Sequence, residues 1–125
     1  IEIGYTADET AKLIKRAVTD ADRHITYDPE HRPEVSNLVN IAALALYRDP
    51  VEIADELGDA GGGGLKKLVT EALNEYLAPI RARRTELQQD RGHLEQVLRD
   101  GNERARAIAQ QTLDEVRAAM QMVYY

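Results

Sequence analysis

Residues 33 to 46 read Pro33-Glu34-Val35-Ser36-Asn37-Leu38-Val39-Asn40-Ile41-Ala42-Ala43-Leu44-Ala45-Leu46. Proline suits the first turn of a helix, where its missing N–H has no partner to lose. Val35, Leu38, Val39, Ile41, Ala42, Ala45 and Leu46 then make the helix apolar over a wide face. A face that wide has to be covered on several sides, so this stretch requires other helices around it.

The rest of the chain supplies them. Thr6-Ala7-Asp8-Glu9 is a capping box, in which the threonine hydroxyl and the glutamate carboxylate each satisfy the other's backbone amide. A first helix is expected over about residues 7 to 18, with Leu13, Ile14, Ala17 and Val18 as its apolar stripe. From Arg23 to Arg32 the periodicity disappears, and Asp28-Pro29 carries turn chemistry, which predicts an ordered loop. Asp49-Pro50-Val51-Glu52 starts another short helix, closed by Gly58. Gly61 to Gly64 are expected to form a flexible loop, since four successive glycines lose much backbone entropy when ordered. Leu65 to Leu87 keep helical spacing, with a kink expected at Pro79. Leu94, Val97 and Leu98 predict a short helix ended by Gly101. A last amphipathic helix follows, carrying Ala105, Ile108, Ala109, Leu113, Val116, Met120 and Val123. No stretch alternates as a strand would, so the expected fold class is all-α, a helical bundle.

At 125 residues and 14.0 kDa, with 43% apolar residues, one domain over 1–125 is expected. Absence of cysteine excludes disulfides, thiolate zinc sites and a thiol nucleophile. The core must rest on Leu, Ile, Val and Ala, because Phe and Trp are absent and six tyrosines are the only aromatics. The chain opens on Ile1 without a basic leader or a long apolar run, so it reads as a soluble, cytoplasmic fragment.

Net charge is -6, which by itself argues against a general nucleic-acid binder. Residues 1–80 hold eight Lys+Arg against fifteen Asp+Glu, whereas residues 81–125 hold eight against seven, so a polyanion contact is expected in the C-terminal part. The candidate contacts are Arg81, Arg83 and Arg84 just after Pro79, with Lys66 and Lys67 earlier on the same helix. Guanidinium groups offer phosphate paired donors in a planar fork. The competing reading is a solvated helix face countered by Glu86. Tyr76 falls on the apolar stripe and is expected in the core, and Tyr27 is expected to pin the 23–32 turn. Asp20, Asp22, Asp28 and Glu30 could suggest a metal or an acid/base pair, but caps, turns and solvated side chains explain them better. His24, His31 and His93 lack the partners of a zinc site, Ser36-Asn37 has no local base, and Gly61 to Gly64 lacks the Gly-Lys-Ser/Thr ending of a phosphate loop. No catalytic, cofactor-binding or metal-binding residue is therefore assigned.

Three runs in order, Ile14-Lys15-Arg16-Ala17-Val18-Thr19-Asp20, Tyr27-Asp28-Pro29 and Pro33-Glu34-Val35-Ser36-Asn37-Leu38, resemble the segment after the KMSKS loop of bacterial tryptophanyl-tRNA synthetases. Gly64-Leu65-Lys66-Lys67, Pro79-Ile80-Arg81-Ala82-Arg83-Arg84, and Val97-Leu98 with Gly101, Arg104-Ala105 and Thr112-Leu113 resemble later segments of the same family. In wording the chain is most similar to the auxiliary, actinobacterial-type branch. Ile1-Glu2-Ile3-Gly4-Tyr5 and the four-glycine run depart from the family pattern.

The resemblance implies an all-helical, tRNA-anticodon-binding C-terminal portion: residues 1–22 follow the KMSKS loop, 33–101 form the anticodon-binding bundle, and 102–125 form a docking helix. The parent enzyme attaches tryptophan to its tRNA with ATP and magnesium. The HIGH and KMSKS motifs that serve that chemistry occur nowhere in residues 1–125, so this segment is expected to hold no cofactor and to be inactive alone. Implied partners are tRNA(Trp) and the missing Rossmann-type catalytic half, in a parent that is a homodimer, with no membrane. The alternative is a non-catalytic helical protein-interaction module, or an engineered fragment, without RNA binding.

Overall fold

The computed structural model describes residues 1–122; Val123, Tyr124 and Tyr125, the first of them assigned above to the last apolar stripe, lie outside the described residues. Among the described residues all regular structure is helical: α1 (Ala7–Arg16), α2 (Pro33–Leu46), α3 (Pro50–Leu57), a 3-10 turn (Gly58–Ala60), α4 (Gly61–Gln89) and α5 (Arg91–Ala119). The contacts group into two compact units, Ile1–Arg83 and Arg84–Tyr125, where the sequence reading has a single domain.

The start signals behave as their chemistry requires. Thr6 and Glu9 form the reciprocal capping box, with the Glu9 carboxylate 2.8 Å from the Thr6 amide. Pro33 opens α2, and Asp49 caps α3 by accepting the Val51 amide at 2.8 Å. Helix α1 stops at Arg16, two residues short of expectation, because Ala17 turns extended with ψ 141°.

In the first unit, Ile14, Val35, Leu38, Val39, Ala42, Ile53, Ala54, Leu65 and Val69 are buried together, with Ile25 inserted from the loop. Each fully buried Ile, Leu or Val contributes about 1.5–3 kcal/mol of transfer free energy. The loop from Arg23 to Arg32 is ordered, as expected, and its ordering is polar. Arg32 grips the Asp20 carboxylate with two bonds of 2.7 Å and also donates to the His24 carbonyl and the Thr26 hydroxyl. The Asp28 amide donates to the buried Ser36 hydroxyl at 2.9 Å, which ties the turn to the start of α2. Tyr27 is half-buried against the core.

Two expectations are corrected. Gly61 to Gly64 are not a flexible loop but the first turn of α4. Gly61 takes φ +69°, and its amide donates to the Arg23 carbonyl at 2.9 Å. A Cβ at Gly62 would lie 2.7 Å from the Thr19 hydroxyl, so glycine here permits close approach of the chain after α1. Nor does Gly101 end a helix: α5 runs through it as 29 continuous residues. A helical glycine costs about 1 kcal/mol relative to alanine, which the flanking turns can absorb.

In the second unit α5 is capped by Asp90, which accepts the His93 amide at 2.9 Å. Its side chains are bridged along the helix by Arg91–Glu95, Gln96–Asp100, Gln110–Asp114 and Gln111–Glu115. Such pairs stabilise a helix by about 0.2–0.5 kcal/mol each. None of its residues is buried, and Leu98, Ile108 and Met120 are more than 60% exposed.

A candidate nucleic-acid interface

Helix α4 carries all five cations singled out from the sequence, but the fold gives them different tasks. Lys66 and Lys67 lie near its start, whereas Arg81 follows roughly four turns later, about 22 Å along the axis. The two groups do not merge into one patch.

Arg81 is half-buried and turns inward. It donates to the Thr10 hydroxyl and to the Asn74 side-chain oxygen, both at 2.8 Å, while Asn74 donates to the Ala7 carbonyl at 3.2 Å. Thr10 is fully buried. Arg81 is therefore a brace between α4 and the first turn of α1. Arg83 and Arg84 are exposed, Arg83 closing the first unit and Arg84 opening the second.

The lysines face a shallow depression between α1 and α4, of about 380 Å³, lined by Ala11, Lys15, Gly63, Lys66, Lys67, Thr70 and Glu71. The Lys66 ammonium approaches the Lys15 carbonyl at 3.4 Å, at the C-terminal end of α1, where the helix dipole attracts a cation. Lys67 is largely exposed, 4.0 Å from Glu71. On the outer side of α1 a second depression, of about 250 Å³, is bordered by Tyr5, Glu9, Lys12, Leu13 and Arg16. Lys12, Lys15 and Arg16 thus form a ridge between the two hollows. With Lys66 and Lys67 they set five cations against two carboxylates, Glu9 and Glu71. Glu9 is pulled below its ordinary value mainly by the bond from the Thr6 amide, so it is fully charged at neutral pH.

The charge balance along the sequence points any polyanion contact to the C-terminal part, whereas Lys12, Lys15 and Arg16 lie on the first helix. The signal was present: spacings of three and four residues put all three on one side of a helix. In the net charge of residues 1–80 they are outweighed by fifteen carboxylates, most of which lie outside α1 and the start of α4.

The other polar clusters are occupied. Asp20 is committed to Arg32, whose hydrogen bonds pull the carboxylate below its ordinary value. Asp28 is pulled down by the His31 amide and ring. Among the described residues no group of three His, Cys, Asp or Glu side chains is placed to hold a metal ion. The Gly61–Gly64 turn does not fit the phosphates of ATP, since the Gly61 amide is used and Gly62 lies against Thr19. Tyr76, expected in the core, is instead 41% exposed, with its ring centroid 6.1 Å from that of Tyr47. Among the described residues no helix is long and apolar enough to cross a membrane.

No protein-family model matches the chain. It is similar to the tryptophan–tRNA ligase of Nostoc sp., 42% identical over 113 residues that cover 90% of this chain and 34% of that protein. It is also 42% identical to tryptophan–tRNA ligase 1 of Streptomyces coelicolor over 121 residues, 94% of this chain and 35% of the relative. To the tryptophan–tRNA ligase of Corynebacterium glutamicum it is 42% identical over 107 residues, 86% of this chain and 31% of the relative. The chain spans about a third of the length of these relatives.

Proposed function

The chain belongs to the tryptophan–tRNA ligase family over the length it matches, and we propose that it is the C-terminal segment that binds the anticodon arm of tRNA(Trp). The observation that carries this reading is the concentration of Lys12, Lys15, Arg16, Lys66 and Lys67 around two hollows on α1 and α4. Ammonium groups on such a ridge attract RNA phosphates without reading sequence, and position the arm. Lys15 and Lys67 make phosphate contacts. Lys66 contributes charge while it caps α1, and Arg81 acts through the fold. Attachment of tryptophan with ATP and magnesium belongs to the parts of such ligases that carry the HIGH and KMSKS motifs, supplied by a Rossmann-type partner half in a homodimeric, cytoplasmic enzyme.

The helical-module reading keeps one observation in its favour, the separation of Lys66 and Lys67 from Arg81 along α4. Binding of the chain to tRNA(Trp), and to the same tRNA with its anticodon changed, over a range of salt concentrations separates the two. Anticodon-binding requires preference for the native sequence and, for about 3–4 phosphate contacts, a log–log salt slope of about -2 to -4. Equal weak binding to both RNAs, or none, leaves the helical-module reading standing and means that anticodon recognition needs the missing half.

A further inference from the structure

At the end of α2, Tyr47 stands in the left-handed region, φ 56° and ψ 44°, and is 83% exposed. This C-terminal position suits glycine or asparagine; a bulky side chain there is strained and gains no burial in return. The Tyr47 ring meets Tyr76, which itself lies 41% exposed on α4. Beside Tyr47 a hollow of about 330 Å³ is lined by Asn40, Ala43, Leu44, Arg48 and Pro50, and Leu44 is 75% exposed. Tyr47 and a leucine therefore border one surface depression in the first unit, with the Tyr76 ring against that of Tyr47.

The charge around it selects the occupant. Arg48, the only cation among those lining residues, is bound by Glu56 and lies 3.9 Å from Glu52, so one positive charge faces two carboxylates. Asp49 follows at once and is spent capping α3. An RNA phosphate is repelled here, whereas a lysine or arginine is attracted by the carboxylates and can lie over a tyrosine face.

We propose that Leu44, Tyr47 and Tyr76, with Glu52 beside them, form a docking surface for a protein segment that brings an apolar anchor flanked by lysine or arginine. The apolar anchor fills the hollow beside Tyr47, and its basic flank meets Glu52. This surface is separate from the lysine-lined hollow and does not rest on the RNA-binding reading.

The test uses a helical leucine–lysine peptide, a leucine–glutamate peptide of equal length, and a single-stranded oligouridylate as probes, titrated against the chain by fluorescence anisotropy. The leucine–lysine peptide should bind at least about tenfold more tightly than the other two, and Tyr47→Gly should weaken it at least about tenfold, the scale of an aromatic hot spot. Tyr47→Gly relieves the backbone strain, so its melting temperature should stay close to that of the parent chain; if it fails to fold, Leu44→Ser provides the same reading. Lys67→Ala should leave peptide binding unchanged. Undiminished binding by Tyr47→Gly or Leu44→Ser, preference for the oligouridylate, or self-association in sedimentation velocity that Tyr47→Gly abolishes would each overturn the proposal.

Discussion

The Arg81 guanidinium donates to the Thr10 hydroxyl at 2.8 Å, joining α4 to α1 across 71 residues of sequence. Thr10 is fully buried, so removing the arginine leaves a hydroxyl without its donor inside the protein. Arg81→Ala should cost about 1–3 kcal/mol in urea unfolding, the penalty for a stranded buried polar group. Arg81→Lys should not restore it, because one ammonium cannot reproduce the two-armed bridge to Thr10 and Asn74. A neutral effect on stability would return Arg81 to the exposed charges.

Charge on Asp20 and Asp28 stabilises the 23–32 loop in a pH-dependent way. Both carboxylates are held below their ordinary value of 3.8, Asp20 by hydrogen bonds from Arg32 and Asp28 by the His31 amide. A depressed carboxylate contributes stability above its unfolded pKa and loses it as pH falls through the folded one. Thermal melts should therefore be level from pH 7 to about pH 4.5 and decline below about 3.8, and Asp20→Asn should flatten that decline. An unchanged acid limb in Asp20→Asn would remove the Arg32 clamp as its cause.

The glycines at the start of α4 should answer oppositely to alanine. At Gly62 a methyl group meets the Thr19 hydroxyl and Cβ at 2.7 and 3.2 Å, so Gly62→Ala should destabilise by about 1–3 kcal/mol. Nothing lies within 4 Å of a Cβ at Gly63 or Gly101. Gly63→Ala and Gly101→Ala should each stabilise by up to about 1 kcal/mol, by gain of helix propensity. Equal responses at Gly62 and Gly63 in chemical denaturation would contradict this packing.

Lys66 and Lys67 should separate in tRNA binding. Lys67→Ala removes one exposed cation and should lower the salt slope by about 0.7–0.9 without changing stability. Lys66→Ala removes a similar charge together with the contact to the Lys15 carbonyl, so it should weaken binding and lower the melting temperature together. Identical melting temperatures for the two variants would count against the capping role of Lys66.

Helix α5 leaves Leu98 and Ile108, and Met120 at its C-cap, largely exposed, and it has no buried residue. An apolar stripe of that length tends to find a partner, so the isolated chain should self-associate or melt at low temperature. Sedimentation velocity over a range of concentrations should show the weight-average mass rising. A monomer with a sharp melt independent of concentration would refute this.

Local chemistry made much of this fold legible. Thr6 with Glu9, Pro33, and Asp49 with Pro50 each act through atoms within four residues, so the sequence alone placed the starts of α1, α2 and α3. The wide apolar face of residues 33–46 likewise required the core that Val35, Leu38, Val39 and Ala42 occupy. What failed depended on partners distant in sequence. Gly62 leaves the space that Thr19 occupies, Arg81 turns inward to donate to Thr10, and Tyr76 lies partly exposed against Tyr47. The lysine-lined hollow belongs to the same class: Lys15 and Lys66 stand 51 residues apart in the chain, and only the packing of α1 on α4 makes them neighbours. Periodicity and capping are fixed by bonds along a few residues, whereas the choice between a solvated charge, a brace and a binding surface is made by whichever groups the folded chain brings within hydrogen-bonding reach.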